Sequence, residues 1–318
     1  MTVIVAKLSM ASLMKATRLL LAGVLVASIS FAAQTPPPPV KLVGLVDLPG
    51  CRYAVLSFAE SRPHWPFTDI LREGERVSSM LREGGRASNI ELLHIFPERG
   101  AVELRVGESN LMTVSLSNAT NTSAGVPAIA FAGVSLKSAM EVYSELANRS
   151  LLRSPLLPDQ GLTFRAQAGD KTEAARVLAA AFLTNGIAVI PDGDKFALVL
   201  RKEDVGLFPV RSGEIKPTAA DALDLQQMPA GSVNFMGVGF GEVAILYAQM
   251  SGGQTYPTNW SRDIPNPSFF FKNQTPLTKP EMLYAFERLF ELCGLKMVPD
   301  GEKLLQPVRF VPKPASSK

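Results

Sequence analysis

The stretch FAGVSLKSAMEVYSEL (131–146) returns as FMGVGFGEVAILYAQM (235–250), and KTEAARVLAAAFLTNGIAVIPDGDK (171–195) returns as KPEMLYAFERLFELCGLKMVPDGEK (279–303). The first pair is separated by a constant step of 104 and the second by 108, so a small insertion lies between them. Self-similarity at a fixed period marks a duplicated structural unit. The shared positions are apolar residues, glycines, a proline and helix-cap residues. None of them makes a catalytic cluster, which directs the reading toward binding and assembly rather than chemistry.

Each copy carries the same local signals. Leu136, Ala139, Met140 and Tyr143 sit at i, i+3, i+4 and i+7, one face of a helix, and Phe240, Val243, Ala244 and Tyr247 repeat that face. A second helix is expected from Ala174, Val177, Leu178, Ala181 and Phe182, matched by Met282, Ala285, Phe286, Leu289 and Phe290. Asp170 with Glu173, and Thr278 with Glu281, stand where an N-cap and its N3 partner belong. Gly186 and Gly294 stand where a helix ends in a left-handed residue. Pro-Asp-Gly at 191–193 and 299–301 then turns one strand into another. With strands at Leu162–Ala166 and Phe269–Phe271 between the helices, the unit reads β-α-β-β-α-β-β.

Working outward, residues 40–118 read as an all-β domain. Pro49-Gly50 and Glu73-Gly74-Glu75 are turns between apolar runs. Pro97 to Gly100 closes a hairpin between Ile90–Phe96 and Ala101–Val106, where Val102, Leu104 and Val106 alternate with Glu103 and Arg105. A small β-sandwich or partly open barrel of about six strands is expected. The polar run SNATNTSAGVP (117–127) supplies a linker, bounded at 119–127. The first repeat then occupies 128–202, a second linker 203–232, the second repeat 233–311 and a tail 312–318. The fold class is therefore multidomain α+β: a small all-β module followed by two repeats.

The N-terminus reads differently. Lys7, Lys15 and Arg18 precede an apolar run of 15 residues, Leu19 to Ala33, short against the roughly 20 of a membrane span. Ser30-Phe31-Ala32 has cleavage-site spacing, so residues 1–32 read as a signal peptide and 33–39, with Pro36 to Pro39, as a stiff spacer. The expected location is periplasmic or otherwise exported. The alternative is an inner-membrane anchor through residues 19–33, the one route by which the chain would associate with a membrane. The leader's three cations account for the whole formal net charge of +3. The mature part is neutral, which argues against a nucleic-acid partner.

Candidate chemistry is sparse. His64 and His94 are the only histidines and Cys51 and Cys293 the only cysteines, too few and too scattered for a metal site. Both cysteines read as buried thiols that pack like small hydrophobes, with a bridge between modules as the alternative in an oxidising compartment. Gly237-Val-Gly239-Phe-Gly241 falls short of a dinucleotide loop, which requires a further glycine, a following βαβ unit and a distant acid; its counterpart in the first copy is Gly133-Val-Ser135, so it reads as a turn at a helix start. No cofactor and no enzymatic activity is expected. The best local candidates for partner contact are Trp260 and Tyr256, in the insertion TYPTNWSRDIPNPSFFF peculiar to the second copy, because exposed aromatics are enriched at binding hot spots.

Phe-x-Gly-Val leading into an amphipathic helix, then a capped second helix, a glycine stop and a hairpin, resembles the N-terminal periplasmic domains of bacterial secretins, of the type shared with the signalling domain of TonB-dependent receptors. Both copies carry this pattern. Residues 40–118, through LVGLV, AVL, LREGERV and IELLHIFPERGAVELRV, resemble the periplasmic β-domain of the connector protein of type II secretion systems. The resemblance implies a non-enzymatic part of a type II secretion or type IV pilus-like envelope apparatus. Its partners would be a secretin, or pseudopilus or inner-membrane components, and the sheet edges also admit homo-oligomers. Two departures from these families shape the expectation: the sequence reaches residue 318 straight after the second repeat, so it is not expected to form a pore by itself, and the leader looks cleavable where a connector keeps its anchor. A free-standing periplasmic sensory or ligand-binding module is the alternative.

Overall fold

The computed structural model describes residues 40–58, 67–83, 86–107, 110–116, 128–158, 160–210, 227–256, 260 and 263–312. The expected signal peptide (1–32), spacer (33–39), 119–127 linker and much of the second linker lie outside them. Among the described residues no helix is long and apolar enough to cross a membrane; the alternative anchor at 19–33 lies outside this set.

The chain is mixed α+β and strand-rich, with several small sheets. The first repeat builds β8 (Ala128–Ser135), α1 (Leu136–Ala147), β9 (Ser150–Arg153), β10 (Gly161–Gln167), α2 (Lys171–Thr184), β11 (Ile187–Asp192) and β12 (Phe196–Arg201). This is the expected β-α-β-β-α-β-β order. The second repeat builds β13 (Asn234–Gly239), α3 (Phe240–Met250), β14 (Ser268–Lys272), α4 (Lys279–Glu291), β15 (Leu295–Pro299) and β16 (Leu305–Arg309). The counterpart of β9 is reduced to a single parallel bridge, Gln254 to Leu304. In the first copy Ser150 pairs Phe196 in the same parallel sense, and the steps of 104 and 108 map that pair onto Gln254 and Leu304. No further pairing follows at Thr255 and Tyr256.

The glycines of the repeat have a mechanical reason. In the β8–β10 ladder Val134 faces Leu162 and Phe131 faces Phe164, so β8 carries one extra residue. In the β13–β14 ladder the register shifts between Met236 and Val238. Gly133 (φ 72°) and Gly237 (φ 86°) sit in these bulges, a conformation that disfavours any residue with a Cβ. The helix-end pair Gly186 and Gly294 and the hairpin pair Gly193 and Gly301 also have positive φ. Asn148 and Gly252, one step of 104 apart, share that left-handed region after α1 and α3.

The helix starts follow the cap residues. Asp170 Oδ1 accepts from the Glu173 N–H at 2.8 Å, while Glu173 reaches back to the Gly169 N–H at 2.8 Å. Thr278 and Glu281 make the reciprocal box, with the Thr278 N–H donating to Glu281 Oε2 at 2.7 Å. The expected apolar faces are buried, except that Val177 and Tyr247 are half-buried.

The 40–118 segment differs from the expected self-contained β-domain. Seven strands are described there, in two sheets. β1 (Val40–Leu48), β2 (Cys51–Phe58) and β3 (Phe67–Leu71) continue the sheet of the first repeat, in the order β10-β8-β1-β2-β3. β1 pairs antiparallel with β8, Gly44 opposite Phe131. Val46, Leu48, Cys51, Tyr53 and Val55 share one core with Phe131, Leu136 and Phe182. The expected division at 119–127 is therefore not a sheet boundary. The physical reason is that β8, beside β10 alone, would present an open edge, and β1 closes it with apolar side chains on the helix-facing side. β4 (Arg76–Glu83), β5 (Arg86–Phe96), β6 (Ala101–Val106) and β7 (Asn110–Ser115) form a separate antiparallel meander. There the expected alternation holds: Val102, Leu104 and Val106 are buried, Glu103 and Arg105 half-buried. From Lys41 on, the described residues belong to one compact unit.

Candidate functional site

The two copies are docked on each other. The sheet β11-β12-β9 is covered on both faces. Ala197 and Val199 point into the core of the first copy, while Leu152, Phe196, Leu198 and Leu200 point into the core of the second, beside Met282, Tyr284 and Phe286. A strand buried on both sides reads as an unbroken apolar run, which is why FALVL (196–200) does not alternate.

Polar groups fix the register of this junction. Tyr284 of α4 donates its hydroxyl hydrogen to Asp192 at the hairpin of the first copy, and both side chains are buried. The Arg288 guanidinium lies 3.5 Å from the same carboxylate, donates to Glu291 Oε2 at 2.6 Å and donates to the Pro209 carbonyl at 2.6 Å. Burial works against the Arg288 charge, but Tyr284, Glu291 and Asp192 outweigh it and hold its pKa above the ordinary value. Lys195 Nζ lies 2.8 Å from Glu281, the N3 residue of α4, and donates to the Pro276 carbonyl at 3.1 Å. Ser150 Oγ accepts from the Gln274 N–H at 2.9 Å. Complementary charges of this kind set orientation and register more than net affinity.

The contact is heterologous: a sheet face of one copy meets a helix face of the other. Among the described residues the matching sheet face of the second copy is partly exposed. Its inner side, Leu295, Met297 and Pro307, is buried. Its outer side carries Leu304, Gln306 and Val308, the counterparts of Phe196, Leu198 and Leu200; Leu304 and Gln306 are half-buried and Val308 is 39% exposed. Tyr256 stands one step of 104 from Leu152. Leu152 is fully buried in the junction, whereas Tyr256 is 51% exposed. Asp300 and Lys303, counterparts of Asp192 and Lys195, are exposed at the rim. We take this face of β15–β16 with Tyr256 as the candidate site.

The two sequence candidates are thus separated in role. Tyr256 lies on the open face, its hydroxyl donating to Gln254 at 3.0 Å. Trp260 is half-buried: its ring lies 5.1 Å from that of Phe240, and its indole N–H donates to Thr255 Oγ1 at 3.2 Å. It anchors the insertion against the core. Asp192, Lys195, Tyr284 and Arg288 were not singled out from sequence, although Asp192 and Lys195 belong to the matched positions. The unbroken apolar run beside them was the available signal.

A second concavity, about 220 Å³, lies between α1 and β13–β14. The Phe270 ring sits there between Lys137 at 5.1 Å and Arg153 at 5.7 Å, with Glu141 and Glu145 on the same wall. Glu145 is paired with Arg72 at 2.8 Å. Among the described residues no cluster of His, Cys, Asp and Glu has the size of a metal site. His94 is exposed on β5, and His64 lies outside the described residues. Cys51 and Cys293 are free thiols: Cys51 is buried in the first core as expected, whereas Cys293 is only half-buried, packed against the second. Burial raises both, Cys293 to about 12, and Cys293 Sγ donates to the Leu289 carbonyl. Comparison with family models, curated proteins and solved structures finds no match.

Proposed function

We propose that this chain is a non-enzymatic interaction and assembly component of a type II secretion or type IV pilus-like envelope apparatus, working in the periplasm after export by residues 1–32. The observation that supports it most is the docking of the two repeats through a residue-matched surface, with the same surface of the second repeat partly exposed among the described residues. A module that already binds its own duplicate by a sheet face is suited to bind another envelope protein, such as a secretin or a pseudopilus or inner-membrane component. The secretin-domain resemblance of both copies points the same way. The raised cysteine pKa values argue against a thiolate nucleophile.

The second reading, a free-standing periplasmic sensory or ligand-binding module, is favoured by the cleft around Phe270. That cleft has a volume of about 220 Å³ and is lined by Lys137, Arg153 and Phe270.

The test is cell fractionation of the tagged full chain with N-terminal sequencing, followed by in-cell crosslinking and mass spectrometry. The reading expects an exported chain crosslinked to envelope-apparatus proteins. Retention in the cytoplasm, or crosslinks only to soluble metabolic enzymes, would contradict it.

A further inference from the structure

The junction inside the chain combines two unlike surfaces, and each has a counterpart that is at least partly exposed among the described residues. The used pair is the outer side of β12, with Asp192 and Lys195 at its hairpin, against Glu281, Tyr284 and Arg288 on α4. On the second copy the step of 108 gives Asp300, Lys303, Leu304 and Val308. On the first copy the same step gives Glu173, Arg176 and Ala180 on α2, all exposed.

The charges of these unused surfaces match. Lys195 lies against Glu281 in the internal junction; the same placement sets Lys303 against Glu173. Asp192 lies against Tyr284 and Arg288; the same placement sets Asp300 against Arg176, which occupies the Tyr284 position. The cation has moved one helical turn, and Ala180 in place of Arg288 leaves room for it. Glu173 and Arg176 are at present joined by a 3.8 Å pair on an exposed helix surface, a contact of little worth in water. The apolar residues are reduced from Phe196, Leu198 and Leu200 to Leu304, Gln306 and Val308. Such a more polar patch suits reversible association rather than a permanent core.

We propose that the occupant of the open β15–β16 face is a second copy of this chain, docked through its α2, so that the contact between the repeats is reproduced between molecules. This deepens the assembly reading and rests on it for the role of the face. Because the two surfaces differ, each added copy leaves one of each kind exposed, and association continues head to tail until a ring closes or a filament forms.

The test is sedimentation equilibrium of the purified full chain over a concentration series, with Lys303→Glu and Glu173→Lys. The proposal expects association beyond the monomer that grows with concentration. Each variant alone sets like charges opposite each other and should weaken association about tenfold or more. An equimolar mixture should recover it, because Glu at 303 of one variant meets Lys at 173 of the other. A monomer at every concentration, or variants that associate like the parent, would overturn the proposal, as would a mixture no better than its components. If the chain stays monomeric while position 256 crosslinks to a different envelope protein in cells, self-docking is overturned and the assembly reading stands.

Discussion

Tyr284 of the second repeat gives its hydroxyl hydrogen to Asp192 of the first, and both side chains are buried at the junction. Tyr284→Phe removes that donor and leaves a buried carboxylate under-satisfied. A loss of about 1–3 kcal/mol is expected, read as a lower urea midpoint. Combining it with Asp192→Asn should cost less than the sum of the two single changes, because the pair acts as one unit. Strict additivity would mean that the contact does not hold the repeats together.

Gly133 and Gly237 occupy matched bulges at positive φ. Alanine at either position should cost about 1–2 kcal/mol, the ordinary cost of a left-handed residue with a Cβ. Thermal unfolding of the two variants checks this, and similar losses are expected from the equivalent geometry. A neutral Gly133→Ala would mean that the bulge is not what the shared glycine maintains.

Gly44 lies where β1 crosses between β8 and β2. A Cβ there would stand 2.9 Å from both Phe131 Cδ1 and Val55 Cγ2. Gly44→Ala should destabilise the chain by about 1–3 kcal/mol through overpacking. Phe131 belongs to the first repeat and Gly44 to the segment before it. The loss therefore tests whether β1–β3 and the repeat unfold together: one cooperative transition is expected, and two separated transitions would contradict the shared sheet.

Burial holds the Cys293 thiol up to about 12 from its ordinary 9.0. The unfolded chain then loses its thiol proton before the folded one does. The stability that this group contributes is intact below 9.0 and falls between 9.0 and about 12 as pH rises. Replacing Cys293 with Ser or Ala should flatten that alkaline decline in denaturant midpoint. Alkylation of Cys293 at mildly alkaline pH should be slow in the native chain and fast in urea. Rapid native alkylation would contradict the burial.

Much of the fold was legible because it is local. Helix faces such as Leu136, Ala139, Met140 and Tyr143, the caps at Asp170 and Thr278, and the Pro-Asp-Gly hairpins each need only neighbouring residues. The pairing of β1 with β8 was not legible, because it joins strands about ninety residues apart and periodicity carries no partner information. The junction was legible only in outline. FALVL (196–200) announces a strand covered on both sides, but the residue that covers Asp192 is Tyr284, on a helix whose sequence reads equally well as facing solvent there. Trp260, an aromatic in an insertion and so expected at a partner contact, is instead held against the core by Phe240 and Thr255. Tyr256 gained its meaning only through the equivalence with Leu152.

The most direct test of the account is site-specific photocrosslinking in cells from Tyr256 and Val308 on the open face, with Leu111 on β7, 62% exposed, as the control. The account predicts discrete protein adducts from positions 256 and 308 and none from 111. An absence of adducts from the face, or the same adducts from all three positions, would contradict it.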